Sequence, residues 1–215
     1  MGWGELSELL QGIIDDIDRH LEERDRVRES AIKKTRDIIR HSSRSISSLL
    51  KGESREALAY LKQAESLVKE LVAQLSPYPE LYYSGMVNNA LSEYAEARLF
   101  MDLTVSGRIP SYRDLGIPPV PYLQGLADLV GEIRRLILEL VRKRDFQSAW
   151  GYAAVMEQIY LYLSRLDYPD ALVPGLRHKV DVARRLVDDT KMFLLDLESR
   201  DRLTRLLESG GSGRG

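Results

Sequence analysis

The sequence predicts an all-α protein built as a single antiparallel helical bundle. Along the 215 residues, apolar side chains recur at spacings of three and four, which is the helical period, and no segment alternates strictly as a strand would. Proline and glycine clusters divide the chain into about six or seven helices joined by short connections. Because short connections join antiparallel neighbours, residues 1–207 are expected to form one domain.

The first predicted helix is unusually long. Its apolar stripe begins densely and becomes sparser before Gly52, through Leu6, Leu10, Ile13, Ile17, Leu21, Val27, Ala31, Ile38, Ile46 and Leu49. A second helix is predicted over residues 54–75. It ends at the Ser76-Pro77-Tyr78-Pro79 turn, because proline lacks a backbone donor and disfavours helix in the residue before it.

The later helices are bounded in the same way. A third is predicted from about Tyr82 to Ser106, followed by a loop over 107–121 that holds four prolines and two glycines. The remaining helices are predicted over 122–143, 146–165 and 175–207. The Gly- and Ser-rich residues 208–215 are expected to be a flexible tail.

Composition excludes several classes of site. The chain has no cysteine, which excludes disulfides, thiolate zinc sites, iron–sulfur clusters and cysteine nucleophiles. The three histidines are scattered without an HExxH or Glu-x-x-His motif, and there is no Walker loop. No apolar stretch is long enough to cross a membrane, and the acidic start lacks a signal peptide's basic region, so a cytoplasmic protein with no membrane partner is expected.

The net charge of -2 conceals a local asymmetry in the first helix. Residues 1–23 carry seven acids and one arginine, whereas residues 24–51 are strongly basic. Candidate phosphate contacts in this basic stripe are Arg26, Lys33, Lys34, Arg36, Arg40 and Arg44. Charge alone leaves two interpretations open, a solvated helix face with ion pairs or a contact surface for RNA.

Two acidic pairs are the candidate catalytic residues. Glu93 and Glu96 lie three residues apart in the third helix, and Asp128 and Glu132 lie four apart in the fourth, so each pair projects from one flank of an apolar stripe. If the stripes pack together, four carboxylates converge at one edge of the contact. Such a cluster is most stable around a hard cation, for which Mg²⁺, or Mn²⁺ with the same oxygen ligands, is suited. Acidic pairs at this spacing are also common on solvated helices.

The residues around both pairs resemble the translin and Trax family. Glu93-Tyr94-Ala95-Glu96-Ala97 resembles the Glu-Tyr-Val-Glu-Ala signature of Trax, and residues 128–135 resemble its Asp-Leu-Thr-Gly-Glu-Leu-Met-Arg element. Gln158-Ile159-Tyr160, the Leu-Arg-His-Lys-Val run at 176–180 and the long closing helix are also similar to the family.

The resemblance implies a Trax-like endoribonuclease. Glu93, Glu96, Asp128 and Glu132 match acids implicated in magnesium-supported RNA cleavage, which translin itself lacks. The family implies a barrel-like oligomer enclosing nucleic acid, here a homo-oligomer, as an octamer, or a mixture with a translin-like subunit as in the complex called C3PO. It also favours RNA contact for the basic stripe, and Arg98, Arg134 and Arg135 become candidates for neutralising phosphate charge.

Three functions follow from these observations. The first is a metal-dependent endoribonuclease that cleaves single-stranded or unpaired RNA by water attack. The second is a catalytically inactive, translin-like protein that binds single-stranded RNA or DNA. The third is a helical adaptor whose first helix docks a partner, with no nucleic acid involved.

Overall fold

The structure is a computed structural model that describes residues 2–211, and within this range it contains helices and no strand. The helices are α1 (Trp3–Leu50), α2 (Ser54–Leu75), α3 (Pro79–Tyr82), α4 (Gly85–Ser106), α5 (Tyr112–Leu115), α6 (Pro119–Arg142), α7 (Phe146–Leu163) and α8 (Leu176–Gly211). The predicted all-α class is therefore confirmed. None of the helices described is both long enough and apolar enough to cross a membrane.

The bundle has two halves that meet where α4 packs on α6. In the first half α1 lies against α2 and α4, and in the second half α6 packs on α7 and α8. Both helices contribute fully buried side chains to the core, among them Tyr94 and Leu91 of α4 and Leu129 and Ile133 of α6. The α4–α6 contact therefore fixes how the two halves sit relative to each other.

The long connections hold two single-turn helices that the sequence did not predict. Pro79 starts α3 just after the end of α2, and the chain turns again at Ser84, so the third predicted helix begins at Gly85 rather than Tyr82. The 107–121 loop contains α5, where the Ser111 hydroxyl accepts a hydrogen bond from the backbone N–H of Asp114 at 3.3 Å. Apart from these turns, the six predicted helices are present.

The last helix differs from the prediction at its end. α8 continues to Gly211, past the expected boundary at residue 207, so residues 208–211 of the predicted tail are helical. The rest of that tail, residues 212–215, lies outside the described residues.

The first half of α1 extends beyond the bundle. Every residue from Gly2 to Glu23 is exposed, and the first buried side chain of α1 is Ala31. The bundle begins where the Tyr78 hydroxyl donates to the Glu23 carboxylate and Arg24 pairs with Glu80 at 3.1 Å. Residues 3–22 are called the N-terminal arm below.

Candidate functional site

A glycine allows α4 and α6 to approach closely beside the acidic pairs. A Cβ atom placed on Gly125 would lie 2.6 Å from the Ser92 carbonyl oxygen, 2.8 Å from the Ala95 Cβ and 2.9 Å from the Glu96 amide nitrogen. Real Cβ atoms are not found so close to backbone atoms, so only glycine fits here. The absence of a side chain at this crossing places the backbone of Glu96 directly against α6.

The crossing brings the two acidic pairs within electrostatic range of each other. Glu96 is only 8% exposed, and burial, followed by the negative charges of Asp128, Glu93 and Glu132, raises its pKa to about 8. Burial also raises the pKa of Glu93, with Asp128 as the next largest cause. The structure therefore places all four predicted acids in one cluster at the edge of the α4–α6 contact.

A lysine from α8 completes this cluster. The Lys179 ammonium donates to Asp128 Oδ1 at 2.7 Å, and its positive charge opposes the rise in the pKa of Glu96. Lys179, His178, Glu93, Glu96 and Asp128 line an open cleft of about 440 Å³. Sequence reasoning gave Lys179 no role, because no spacing within α8 indicates that it reaches α6. Its place in the Leu-Arg-His-Lys-Val run was the available signal.

A hydrogen-bond relay holds α8 in position for this contact. The Asn88 side chain donates to Gln124 Oε1 at 2.6 Å, and Gln124 Nε2 donates to the Pro174 carbonyl oxygen at 2.7 Å. Gln124 is buried, so both of its polar atoms depend on these partners. The relay joins α4, α6 and the chain just before α8, five residues upstream of Lys179.

The fourth acid is held by a neighbour on its own helix. Glu132 accepts a hydrogen bond from Arg135 at 2.8 Å, and Arg134 lies on a different side, 3.9 Å from Asp189 of α8. Arg135 is therefore beside the acidic cluster, whereas Arg134 is directed to α8.

Arg98 lies away from the cluster. Its guanidinium bonds Asp102 at 2.8 Å and Glu65 of α2 at 3.2 Å, on the α2 side of α4. Both partners are carboxylates that neutralise its charge. The structure thus places this predicted phosphate contact in an ion-pair network between α2 and α4.

The basic stripe of α1 divides into one face and one outlier. Arg26, Lys33, Arg36, Arg40 and Arg44 are exposed and fall within about 80° of each other around the helix. Lys34 is half-buried, about 80° beyond the edge of that face, and pairs with Glu70 at 3.3 Å. The basic face is the name used below for the five exposed residues.

Only part of the basic face is neutralised by neighbours. Arg40 pairs with Asp37 at 2.8 Å, and the Arg44 guanidinium lies over the Tyr60 ring at 5.6 Å. Within residues 2–211, Lys33 and Arg36 form no ion pair. The face therefore presents cationic groups that are available to an anionic partner.

Comparisons with known proteins agree with this architecture. A family model described as the translin family matches residues 26–200. An uncharacterised protein of Methanocaldococcus jannaschii is 29% identical over 193 residues, which cover 87% of this chain and 85% of that protein. The solved C3PO of Archaeoglobus in complex with duplex RNA is 36% identical, covers 87% of this chain and 97% of its own, and has a TM-score of 0.81.

A second solved structure of the Archaeoglobus protein gives the same identity and coverage, with a TM-score of 0.80. An apo C3PO of Neurospora superposes with a TM-score of 0.78 over 86% of this chain and 96% of its own. Its identity is 23%, so this last comparison supports the fold alone.

Proposed function

Because the chain belongs to the translin family, we propose that it is an oligomeric RNA-binding protein and a Trax-like, Mg²⁺-dependent endoribonuclease. The observation that carries the proposal is the cluster of Glu93, Glu96, Asp128 and Glu132 at the α4–α6 crossing. The 36% identical Archaeoglobus protein, solved with duplex RNA, supports RNA as the ligand.

The chemistry of the cluster fits a magnesium ion. All four acids offer oxygen ligands, and the pKa of Glu96 is raised first by burial and then by the negative charges of Asp128, Glu93 and Glu132, which a bound cation would offset. As they stand, however, no three Asp, Glu or His side chains of the described residues are arranged to hold a metal. Metal binding therefore requires rotation of the carboxylates, with Asp128 turning from Lys179 toward the ion.

Each group then has a distinct role. Glu93, Glu96, Asp128 and Glu132 would hold the ion, which would supply an activated water and stabilise the leaving oxygen of a phosphodiester. Lys179 lines the cleft, and its positive charge would be suited to the cleaved phosphate if Asp128 turned to a metal ion. Arg135, beside Glu132, is the second cation at this edge.

The basic face supplies affinity rather than chemistry. Its arginines and Lys33 would contact phosphates in a sequence-tolerant and salt-sensitive way. Single-stranded or unpaired RNA is the proposed substrate, enclosed by a barrel-like homo-oligomer, an octamer, or by a mixed assembly with a translin-like subunit.

A translin-like protein that binds RNA without cleaving it is the second candidate. Two observations favour it: the Lys179 ammonium already neutralises Asp128, and the carboxylates of the described chain are not arranged around a common point. In that case the acids and Lys179 are a structural ion-pair cluster, and the basic face alone carries the function.

A cleavage assay separates the two candidates. Purified protein is incubated with end-labelled single-stranded RNA in Mg²⁺, Mn²⁺ or EDTA, beside a Glu93→Gln, Glu96→Gln variant and a Glu56→Gln control on the exposed surface of α2. Internal cuts that need the metal, persist in the control and disappear in the double variant support the nuclease. RNA that is bound equally by all three proteins and left intact in both metals establishes the binding protein instead.

A further inference from the structure

A half-buried histidine lies beside the basic face. His41 directly follows Arg40 and lies about 60° beyond Arg44 around the axis of α1. Its Nδ1 atom is buried and has no hydrogen-bond partner among residues 2–211. Buried polar atoms are normally paired, so an unpaired imidazole nitrogen calls for an explanation. A structural hydrogen bond at this nitrogen does not provide one.

Tyr60 of α2 holds His41 and Arg44 at the same place. The ring centroids of His41 and Tyr60 are 6.0 Å apart at an angle of 30°, and the Arg44 guanidinium carbon lies 5.6 Å from the centroid of the same tyrosine ring. The two helices are joined next to these contacts, where the Ser45 hydroxyl donates to the Ala57 carbonyl oxygen at 2.9 Å. His41 is therefore fixed in the groove between α1 and α2, next to the end of the basic face.

The charges around His41 keep it neutral in the free protein. Burial lowers its pKa from the ordinary value of 6.5, and the positive charge of Arg40 lowers it further. Asp37 raises this pKa and Arg44 lowers it, each by less than Arg40 does. These charged groups all belong to α1, and the titratable group that faces His41 from α2 is Tyr60. Among residues 2–211, no charge from α2, α4 or α6 acts on the imidazole.

RNA on the basic face would change this balance. A phosphate bound by Arg40 and Arg44 brings negative charge next to His41 and offsets the positive charges that keep the imidazole neutral. The pKa of His41 is then higher in the complex than in the free protein, so RNA binding takes up a proton. By thermodynamic reciprocity, a proton on His41 strengthens RNA binding.

We propose that His41 is a further RNA-binding residue of the chain, and that it takes up a proton as a phosphate binds between Arg40 and Arg44. This inference rests on the RNA binding proposed above for the basic face. The proton moves from solvent to a ring nitrogen, and the imidazolium adds one positive charge to the face. Asp37 is paired with Arg40 at 2.8 Å, so the imidazolium restores charge that this carboxylate takes from the face.

The direction of the pH dependence follows from the higher pKa in the complex. RNA affinity should be constant at alkaline pH, where His41 is neutral in both states. It should rise as the pH falls through the pKa of the complex, and it should level off below the pKa of the free protein. A higher affinity at acidic pH is therefore the expected result.

RNA affinity at two pH values tests the proposal. Binding of full-length protein to a short fluorescent single-stranded RNA is measured by anisotropy at about pH 8 and about pH 5.5, in EDTA to prevent cleavage. His41→Phe keeps a ring against Tyr60 without a titratable nitrogen, and His41→Gln provides a second variant that removes the charge. His20→Gln, in the N-terminal arm, is the matched control. We expect the gain in affinity at the lower pH to be about three-fold larger, or more, for wild type and the control than for both His41 variants.

The other outcomes separate this inference from the proposed function. An equal gain in all four proteins would assign the proton uptake to other groups and overturn the role of His41. If wild type binds no RNA at either pH, the proposed RNA-binding function fails, and the inference fails with it.

Calorimetry measures the proton directly. RNA is titrated into wild type and His41→Phe at about pH 6, in two buffers of different ionisation enthalpy, and the difference in heat gives the protons taken up. We expect wild type to take up more protons than His41→Phe. The salt dependence of binding should also be steeper at the lower pH by about one counterion in wild type alone. Equal proton uptake by the two proteins would show that His41 is not the group that titrates.

Discussion

Replacing Glu96 by glutamine should stabilise the protein at neutral pH. Glu96 has its folded-state pKa raised from 4.5 to about 8, so folding at pH 7 requires a carboxylate that is ionised in the unfolded chain to take up a proton. For an acid with a raised pKa, the stabilising contribution is complete below pH 4.5 and is lost as the pH rises toward 8. Glutamine has the shape of the neutral acid and carries no such penalty.

The shift sets the expected magnitude. The quantity of interest is the unfolding free energy of the variant minus that of wild type. At 1.36 kcal/mol per pKa unit, this difference should be larger than its value near pH 4 by about 3 kcal/mol at pH 7 and by roughly 5 kcal/mol above pH 8. Urea denaturation at a series of pH values, with the oligomeric state checked at each, measures this difference.

Glu56→Gln, on the exposed surface of α2, is the matched control and should show no such trend. A Glu96→Gln difference that stays constant from pH 4 to pH 9 would refute the reasoning, because it would mean that Glu96 ionises in the folded protein as readily as in the unfolded chain.

Three further substitutions test the site. Gly125→Ala should lower the unfolding free energy by about 1–3 kcal/mol, because the added Cβ clashes with α4. The control Gly151→Ala should be neutral or slightly stabilising, because a Cβ there meets nothing within 4 Å. Equal melting temperatures of the two variants would contradict the close crossing of α4 and α6. Lys179→Met should raise the pKa of Glu96 further, since it removes an opposing charge; an NMR titration that finds the pKa lowered or unchanged would exclude that contact. Arg36→Ala should reduce the salt dependence of RNA binding by about one counterion, as measured by fluorescence anisotropy at several salt concentrations. Lys34→Ala should reduce the salt dependence less, because Lys34 is already paired with Glu70. A larger effect of Lys34→Ala than of Arg36→Ala would place RNA on another face.

The sequence was most informative where a property is local. α2 begins and ends as predicted, at Ser54 and Leu75, because Gly52 and Pro77 determine both ends through backbone sterics alone. The flanking positions of the two acidic pairs also followed from helical period. By contrast, the sequence around Tyr82 predicts that a long helix begins there. In the structure the turn at Ser84 separates α3 from α4, so the long helix begins at Gly85.

The parts that could not be predicted depend on partners distant in sequence. Arg98 follows Glu96 by two residues, or about 200° around the helix, so the helical period already directs it away from the acidic cluster, but its partner Glu65 lies 33 residues away. Lys179 reaches Asp128 across 51 residues of chain. The helical period predicts which face of a helix a side chain occupies, but it does not predict which helix packs against that face. Neither the Arg98–Glu65 contact nor the Lys179–Asp128 contact therefore has a local signal in the sequence.

The family resemblance, rather than the physical chemistry of the residues, separated a nuclease from an adaptor. The spacing of the acids alone fits a solvated surface as well as a metal site. Glu96 is buried where α6 packs against α4, and the sequence alone does not show this contact. The raised pKa of that residue is thus information that the structure adds to the sequence.

The α7–α8 connection is anchored at Pro174 by the hydrogen-bond relay from Asn88 through Gln124. The segments before and after this anchor should differ in how well they tolerate inserted residues. Residues 164–168 lie upstream of the anchor, and Tyr168 within them is exposed, so inserted residues there lengthen a surface loop at the modest entropic cost of loop closure. Asp170 belongs to the anchored part, because its carboxylate accepts a hydrogen bond from the backbone N–H of Gly175 at 2.8 Å. One residue inserted between Pro174 and Lys179 would instead rotate α8 by about 100° relative to its anchor and turn the ammonium away from Asp128. We therefore expect insertions before the anchor to be tolerated and a change in the five-residue step after it to disrupt the Lys179–Asp128 contact.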